Sequence, residues 1–109
     1  MAATKITTTA HDVWPRRLKE ARLKAGLSQR ALGIAAGIDA SVASTRINRY
    51  EVGVHKADFQ IAVHLAKVLN VPAAFLYAES DEIAAVLIAL HRASATKRRH
   101  FVKLLLEQN

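Results

Sequence analysis

Residues 28–53, SQRALGIAAGIDASVASTRINRYEVG, decide the fold, because they read as two short helices with a sharp change of direction between them. Ser28 is a good N-cap, and the stretch from Gln29 through Leu32, Gly33 and Ala36 is helical up to Gly37, a residue that tolerates positive φ. A second helix is expected over roughly Ala40 to Val52, with Asp39 as its N-cap and Gly53 just past its end. Two helices cross closely only where a small residue sits at the contact, and Gly33 supplies one. At about 100° per residue, turning Ala43, Ile47 and Tyr50 inward puts Ser41, Thr45, Asn48 and Arg49 on the opposite, outward face.

Upstream, a helix from about Pro15 to Ala25 fits the spacing. Pro suits a first turn, Leu18, Ala21 and Leu23 form an inner stripe, and Gly26 supplies a left-handed stop. Its other face carries Arg16, Arg17, Lys19, Arg22 and Lys24, with Arg17 and Lys24 read either as a solvated face or as contacts to an anionic partner; Trp14 is expected to pack against the bundle. Downstream, Asp58 caps a helix from Phe59 to Leu69, whose apolar positions Ile61, Ala62, Leu65, Ala66 and Leu69 keep a spacing of three and four. Pro72 opens a short fifth helix ending near Tyr77. From Asp81 the pattern changes: one helix carries Ile83, Val86, Leu87 and Leu90, another carries Phe101, Leu104 and Leu105, and Ala93-Ser94-Ala95-Thr96 joins them in a helical hairpin. The expected class is all-α, a five-helix bundle over residues 13–78 and the hairpin over 79–109, behind a disordered arm over 1–12.

Composition agrees. In 109 residues, 51% are hydrophobic and 6% aromatic, enough for one packed core of Ala- and Leu-rich helices. The chain has no cysteine, which excludes a disulfide framework or a thiolate metal site. The longest apolar stretch, Ile83 to Leu90, falls far short of the roughly 20 residues that span a bilayer, so no membrane association is expected. Met1 to Ala10 is polar and Thr-rich, unlike a signal peptide, and a cytoplasmic location is the expectation. The net charge of +7 is unevenly spread: residues 1–56 hold ten Lys/Arg against four Asp/Glu, while residues 57–109 hold six against five. A positive N-terminal half is the electrostatic footprint of a surface that meets phosphates.

Leu27-Ser28-Gln29, Gly33, Gly37-Ile38, Ile47, Arg49, Glu51 and Gly53, followed by Leu65-Ala66-Lys67-Val68-Leu69 and Val71-Pro72, resemble the Cro and phage-repressor (XRE-type, lambda-repressor-like) helix-turn-helix family over about residues 16–78. The resemblance implies a transcriptional regulator whose second motif helix, around residues 40–52, lies in the major groove of double-stranded DNA. It implies that Gln29 grips a phosphate, that Ser44, Thr45 and Arg49 face base edges, and that Arg22 and Glu51 form a mainly structural ion pair. Together with the outward face, the expected base contacts are Ser41, Ser44, Thr45, Asn48 and Arg49, and the expected phosphate contacts are Gln29, Arg30, Arg46 and Lys56. Arg49 is the strongest candidate reader, since its planar fork pairs with guanine O6 and N7.

Between Gly37 and Ile47 the chain is about one helical turn longer than the family's usual spacing. If those residues are helical, the inward face is preserved and the helix lengthens by about 6 Å. If they form a longer turn, the assignments of Ser44 and Thr45 weaken while Asn48 and Arg49 stand.

The five histidines, His11, His55, His64, His91 and His100, form no ligand-spaced cluster, so no metal or cofactor is expected. No nucleophile triad, carboxylate pair or phosphate-binding loop stands out, and an enzyme is not expected. Lys97-Arg98-Arg99-His100 is a solvated face or an auxiliary phosphate contact. The hairpin carries more apolar surface than one small bundle readily hides, which points to a homodimer through Ile83, Val86, Leu87, Leu90, Phe101, Leu104 and Leu105, with core packing as the plainer reading. The alternative function is an antitoxin-like or other protein-interaction module that binds a partner protein through its C-terminal helices.

Overall fold

Short side chains start most of the helices. Ser28 Oγ accepts from the Ala31 N–H, Asp58 Oδ1 from Ile61, Ser80 Oγ from Ile83 and Ser94 Oγ from Lys97, each satisfying a donor that the first helical turn leaves open. The computed structural model describes residues 10–107, with side chains from Asp12, so the expected arm falls outside the described residues up to residue 9. The helices are α1 (Ala10–Lys24), α2 (Gln29–Ala35), α3 (Ala43–Glu51), α4 (Phe59–Leu69), α5 (Asp81–Arg92) and α6 (Ala95–Glu107), with a 3-10 helix at Ala73–Tyr77 between α4 and α5. The described residues contain no strand.

Leu18, Leu32, Ile47, Leu65 and Leu76 are fully buried and form the centre, one from each of α1 to α4 and one from the 3-10 helix. On α3 the inward set is Ala43, Ile47 and Tyr50, and on α4 it is Ala62, Leu65, Ala66 and Leu69. The α5 helix adds buried Ala84 and half-buried Leu87 and Ile88, while α6 buries none of its residues. The α5–α6 link is only Ala93-Ser94, and Arg98 Nη1 donates back across it to the Leu90 carbonyl.

Three local expectations are corrected. The first helix begins at Ala10 rather than Pro15, because Val13 is buried and Trp14 packs edge-on against Tyr50, with ring centroids 6.1 Å apart. That tertiary anchoring outweighs the hydrogen bond Pro15 cannot donate. Leu23, placed in the inner stripe, is 58% exposed. Arg17, read as solvated or partner-facing, is instead 2% exposed. Its Nε donates to the Ala78 carbonyl at 2.9 Å, its guanidinium pairs with Asp81 and Glu20, and it lies over the Phe75 ring. Backbone carbonyls, two carboxylates and an aromatic face replace its lost water, which makes burial of the charge tolerable.

The extra residues before α3 form a turn, not a helical extension. Asp39 Oδ1 accepts from both the N–H and the hydroxyl of Ser41, the Val42 N–H bonds the Asp39 carbonyl, and Val42 sits at a non-helical φ of −122°. Asp39 therefore caps this turn and not α3, which begins at Ala43 without a side-chain cap.

Ala43 is held there by Gly33. A Cβ built on Gly33 would lie 2.8 Å from the Ala43 Cβ and 3.1 Å from its carbonyl oxygen, so α2 and α3 touch backbone to backbone. Gly37, at φ +93°, then turns the chain in a conformation that L side chains rarely adopt. Gly33→Ala is expected to cost about 1–3 kcal/mol by forcing the two helices apart. Urea unfolding followed by circular dichroism checks this, the variant's midpoint falling while the slope is retained.

Candidate nucleic-acid interface

Burial of Ala43, Ile47 and Tyr50 fixes the rotation of α3, and so decides which side chains face away from the body. Ser44, Thr45, Asn48 and Arg49 are all exposed on this nine-residue helix. Ser41 and Val42 stand in the turn just before it, also exposed. Ser41 is not a free hydroxyl, because its proton goes to Asp39 at 2.6 Å. The same hydroxyl, and then the Ser41 N–H, hold the Asp39 carboxyl below its usual pKa, so a fixed negative charge marks this end of the surface.

The basic residues divide into free and engaged groups. Arg30 on α2, Arg49 on α3 and Lys56 on the α3–α4 connector are exposed and form no ion pair among the described residues. Arg46 is half-buried: its Nη2 donates to the Tyr50 hydroxyl at 2.9 Å, and its guanidinium lies 5.8 Å from that ring's centroid. It runs along α3, away from the centre of the outward face.

Behind the face lies a polar clamp. Arg22 Nε and Nη2 donate to the two carboxylate oxygens of Glu51, the latter at 3.1 Å, and Arg22 Nη1 reaches the Leu27 carbonyl at 2.9 Å. Both side chains are nearly enclosed. Gln29 Nε2 joins the clamp by donating to Glu51 Oε1 at 3.1 Å and to Asn48 Oδ1 at 3.2 Å. Gln29 thus ties the start of α2 to the end of α3 through its amide nitrogen, and only the carbonyl oxygen of the exposed Asn48 amide is used in that contact. A phosphate would have to take over one of the Gln29 bonds.

Of the residues expected at a subunit interface, Ile83, Val86, Phe101, Leu104 and Leu105 are exposed, whereas Leu87 and Leu90 are half-buried, Leu87 against the chain's own core. Leu106 and Val102 extend the same apolar surface. Among the described residues no group of three or more His, Cys, Asp or Glu side chains converges to hold a metal, and no helix is long and apolar enough to cross a membrane.

Arg17 and Asp39 are the polar residues whose roles the sequence hid. Apart from Glu20 at i+3, the Arg17 partners lie about sixty positions away, a separation that leaves no local signature of burial. For Asp39 a local signal existed, since Asp followed two residues later by Ser favours a self-bonded turn as much as a helix cap.

The helix-turn-helix family HTH_3 matches residues 18–76 of the chain. Three solved chains also match. One is the crystal structure of the transcriptional regulator BswR, similar at a TM-score of 0.78 and 34% identity over 85% of this chain and 92% of that one. No curated protein matches.

Removing one partner of an enclosed ion pair strands the other. Glu51→Ala is therefore expected to cost about 3–5 kcal/mol, and Gln29→Ala about 1 kcal/mol, in equilibrium unfolding. Comparable losses from the two changes would mean that the Arg22–Glu51 pair is not the centre of the clamp.

Proposed function

The chain belongs to the helix-turn-helix family that its residues 18–76 match, and from that premise we propose that it is a sequence-specific DNA-binding regulator of transcription, acting as a repressor. The likeness to the transcriptional regulator BswR over most of both chains supports the reading. The observation that carries it is the exposed face of α3: hydroxyls on Ser44 and Thr45, the exposed amide of Asn48 and the guanidinium of Arg49, which forms no ion pair among the described residues, on a helix fixed from behind by Gly33 and the Arg22–Glu51 clamp.

In this reading α3 enters the major groove. Arg49 forks onto guanine O6 and N7, Asn48 pairs with a neighbouring base edge, and Ser44, Thr45 and Ser41 reach bases or bound water. Arg30 and Lys56 flank the helix and bind phosphates, as Gln29 and Arg46 can after exchanging their internal partners. The longer turn places Ser41 and Val42 at the tip of the reading surface and keeps α3 short, so base selection rests chiefly on Asn48 and Arg49.

Residues 13–78 form the DNA-binding unit and residues 79–109 the assembly element. A 13-residue helix that buries none of its own side chains gains little from core packing in the monomer, and isolated helices of this length are marginal in water. The radius of gyration of 15.7 Å, above the ~13 Å of a compact domain of this size, agrees with a helix that stands off the body. A second copy covers α5 and α6 in a homodimer that presents two α3 helices to half-sites about one turn of DNA apart. The reading in which these helices grip a different protein draws on the same apolar surface.

Selection of preferred duplexes from random DNA should yield a near-palindromic site. Arg49→Ala should lose about 1–3 kcal/mol on that site and flatten preference at one position per half-site, while Lys56→Gln should weaken all sequences evenly and reduce the salt slope by about 1. Recovery of no consensus would overturn the reading. Phe101→Asp combined with Leu104→Asp should give a monomer by sedimentation; a variant that stays dimeric would move the interface elsewhere.

A further inference from the structure

A cavity of about 310 Å³ opens beside the foot of α3, between the start of α1, the α3–α4 connector and the end of the 3-10 helix. Its walls are Trp14, Pro15 and Tyr77, with Gly53, His55, Lys56 and Ala57 supplied by the connector. The volume is at the lower end of sites that hold a small organic ligand, and the composition is of the usual kind, aromatic walls with a few polar groups. Tyr77 is 52% exposed and, among the described residues, makes no ring–ring or cation–π contact, which leaves an aromatic face available at the cavity.

The charge of the lining is one-sided. Lys56 and His55 are exposed and free of ion pairs, and no carboxylate lines the cavity. Apolar rings on two sides and the Lys56 ammonium at the rim are complementary to a flat apolar group bearing an anion.

We propose that this cavity is a binding site for a small aromatic carboxylate, held by its ring between Trp14, Pro15 and Tyr77 and by its carboxylate at Lys56, with occupancy weakening DNA binding. The second half rests on the DNA-binding reading, in which Lys56 meets a phosphate: a carboxylate on the same ammonium competes for it and draws the connector toward α1. The binding itself does not depend on that reading.

Trp14 is the sole tryptophan of the chain, so its emission reports on the site without a label. Phenylacetate, which is transparent at the wavelength that excites tryptophan, is titrated into the full chain. Acetate, 2-phenylethanol and 2-phenylethylamine serve as analogues that lack the ring, the charge or its sign. Phenylacetate should change the Trp14 emission saturably with a midpoint near ~1 mM, as befits so small a ligand, while acetate and the amine should give no saturable change and the alcohol a weaker one. Lys56→Gln should weaken phenylacetate about tenfold and Tyr77→Ala several-fold, both at exposed positions that leave the fold intact.

No saturable response to phenylacetate, or equal responses to the acid and the amine, would overturn the site. In a second arm, saturating phenylacetate should lower the affinity of the chain for its selected duplex several-fold, and Tyr77→Ala, binding the duplex normally, should need several-fold more phenylacetate for the same effect. Saturable fluorescence with unchanged DNA affinity would keep the site and overturn the coupling. Absence of any selected duplex would instead count against the DNA-binding reading and leave the fluorescence result standing.

Discussion

The contact between Gly33 and Ala43 is the constraint from which the rest follows. With only 2.8 Å between the Ala43 Cβ and the place a Gly33 Cβ would occupy, α2 and α3 approach as closely as two helices can, and their crossing has little room to vary. That approach brings Gln29 at the start of α2 within hydrogen-bond reach of Asn48 and Glu51 on α3. It also presses Ile47 and Tyr50 into the core, and so commits the opposite side of α3 to solvent. The candidate DNA surface is thus a consequence of packing: its polar groups are outside because Ala43, Ile47 and Tyr50 are held inside.

Two buried arginines turn α1 into the spine that holds this arrangement. Arg22 binds the end of α3 through Glu51 and the α1–α2 connector through the Leu27 carbonyl. Arg17, five positions earlier, binds the chain where it leaves the 3-10 helix, through the Ala78 and Glu79 carbonyls and the Asp81 carboxylate. The first clamp orients the outward helix, and the second sets where α5 departs. Each charge is fully partnered, the condition under which burial of a guanidinium is tolerable and loss of one partner is costly. Since both clamps start from one helix, the candidate DNA surface and the apolar C-terminal surface are referred to a common frame.

Much of this organisation was legible in the sequence, and the parts that were not share a physical cause. The caps at Ser28 and Asp58 and the apolar stripe of α4 depend on neighbours three or four residues away, so spacing alone exposes them. The inward set of α3 followed from one rotation about its axis. Pro15 misled because the packing of Val13 and Trp14 that carries α1 upstream is tertiary. Arg17 read as a surface charge because the backbone carbonyls and the Asp81 carboxylate that help to bury it lie on a distant segment. Asp39 stood between two local solutions, a helix cap and a self-bonded turn, and the chain takes the turn, with α3 starting only at Ala43, packed against Gly33. For the candidate site, residue types and helix placement were readable, but the engagement of Gln29, Ser41 and Arg46 with their own chain was not.

The central claim is that the polar face of α3, fixed by the Gly33 crossing, is what meets the base pairs. Amide chemical-shift mapping during titration with a duplex recovered by selection tests it most directly. The account requires the largest changes at Ser44, Thr45, Asn48 and Arg49, with smaller ones at Arg30 and Lys56 and little along α6. Shifts concentrated on α5 and α6, with the α3 amides unmoved at saturation, would contradict it.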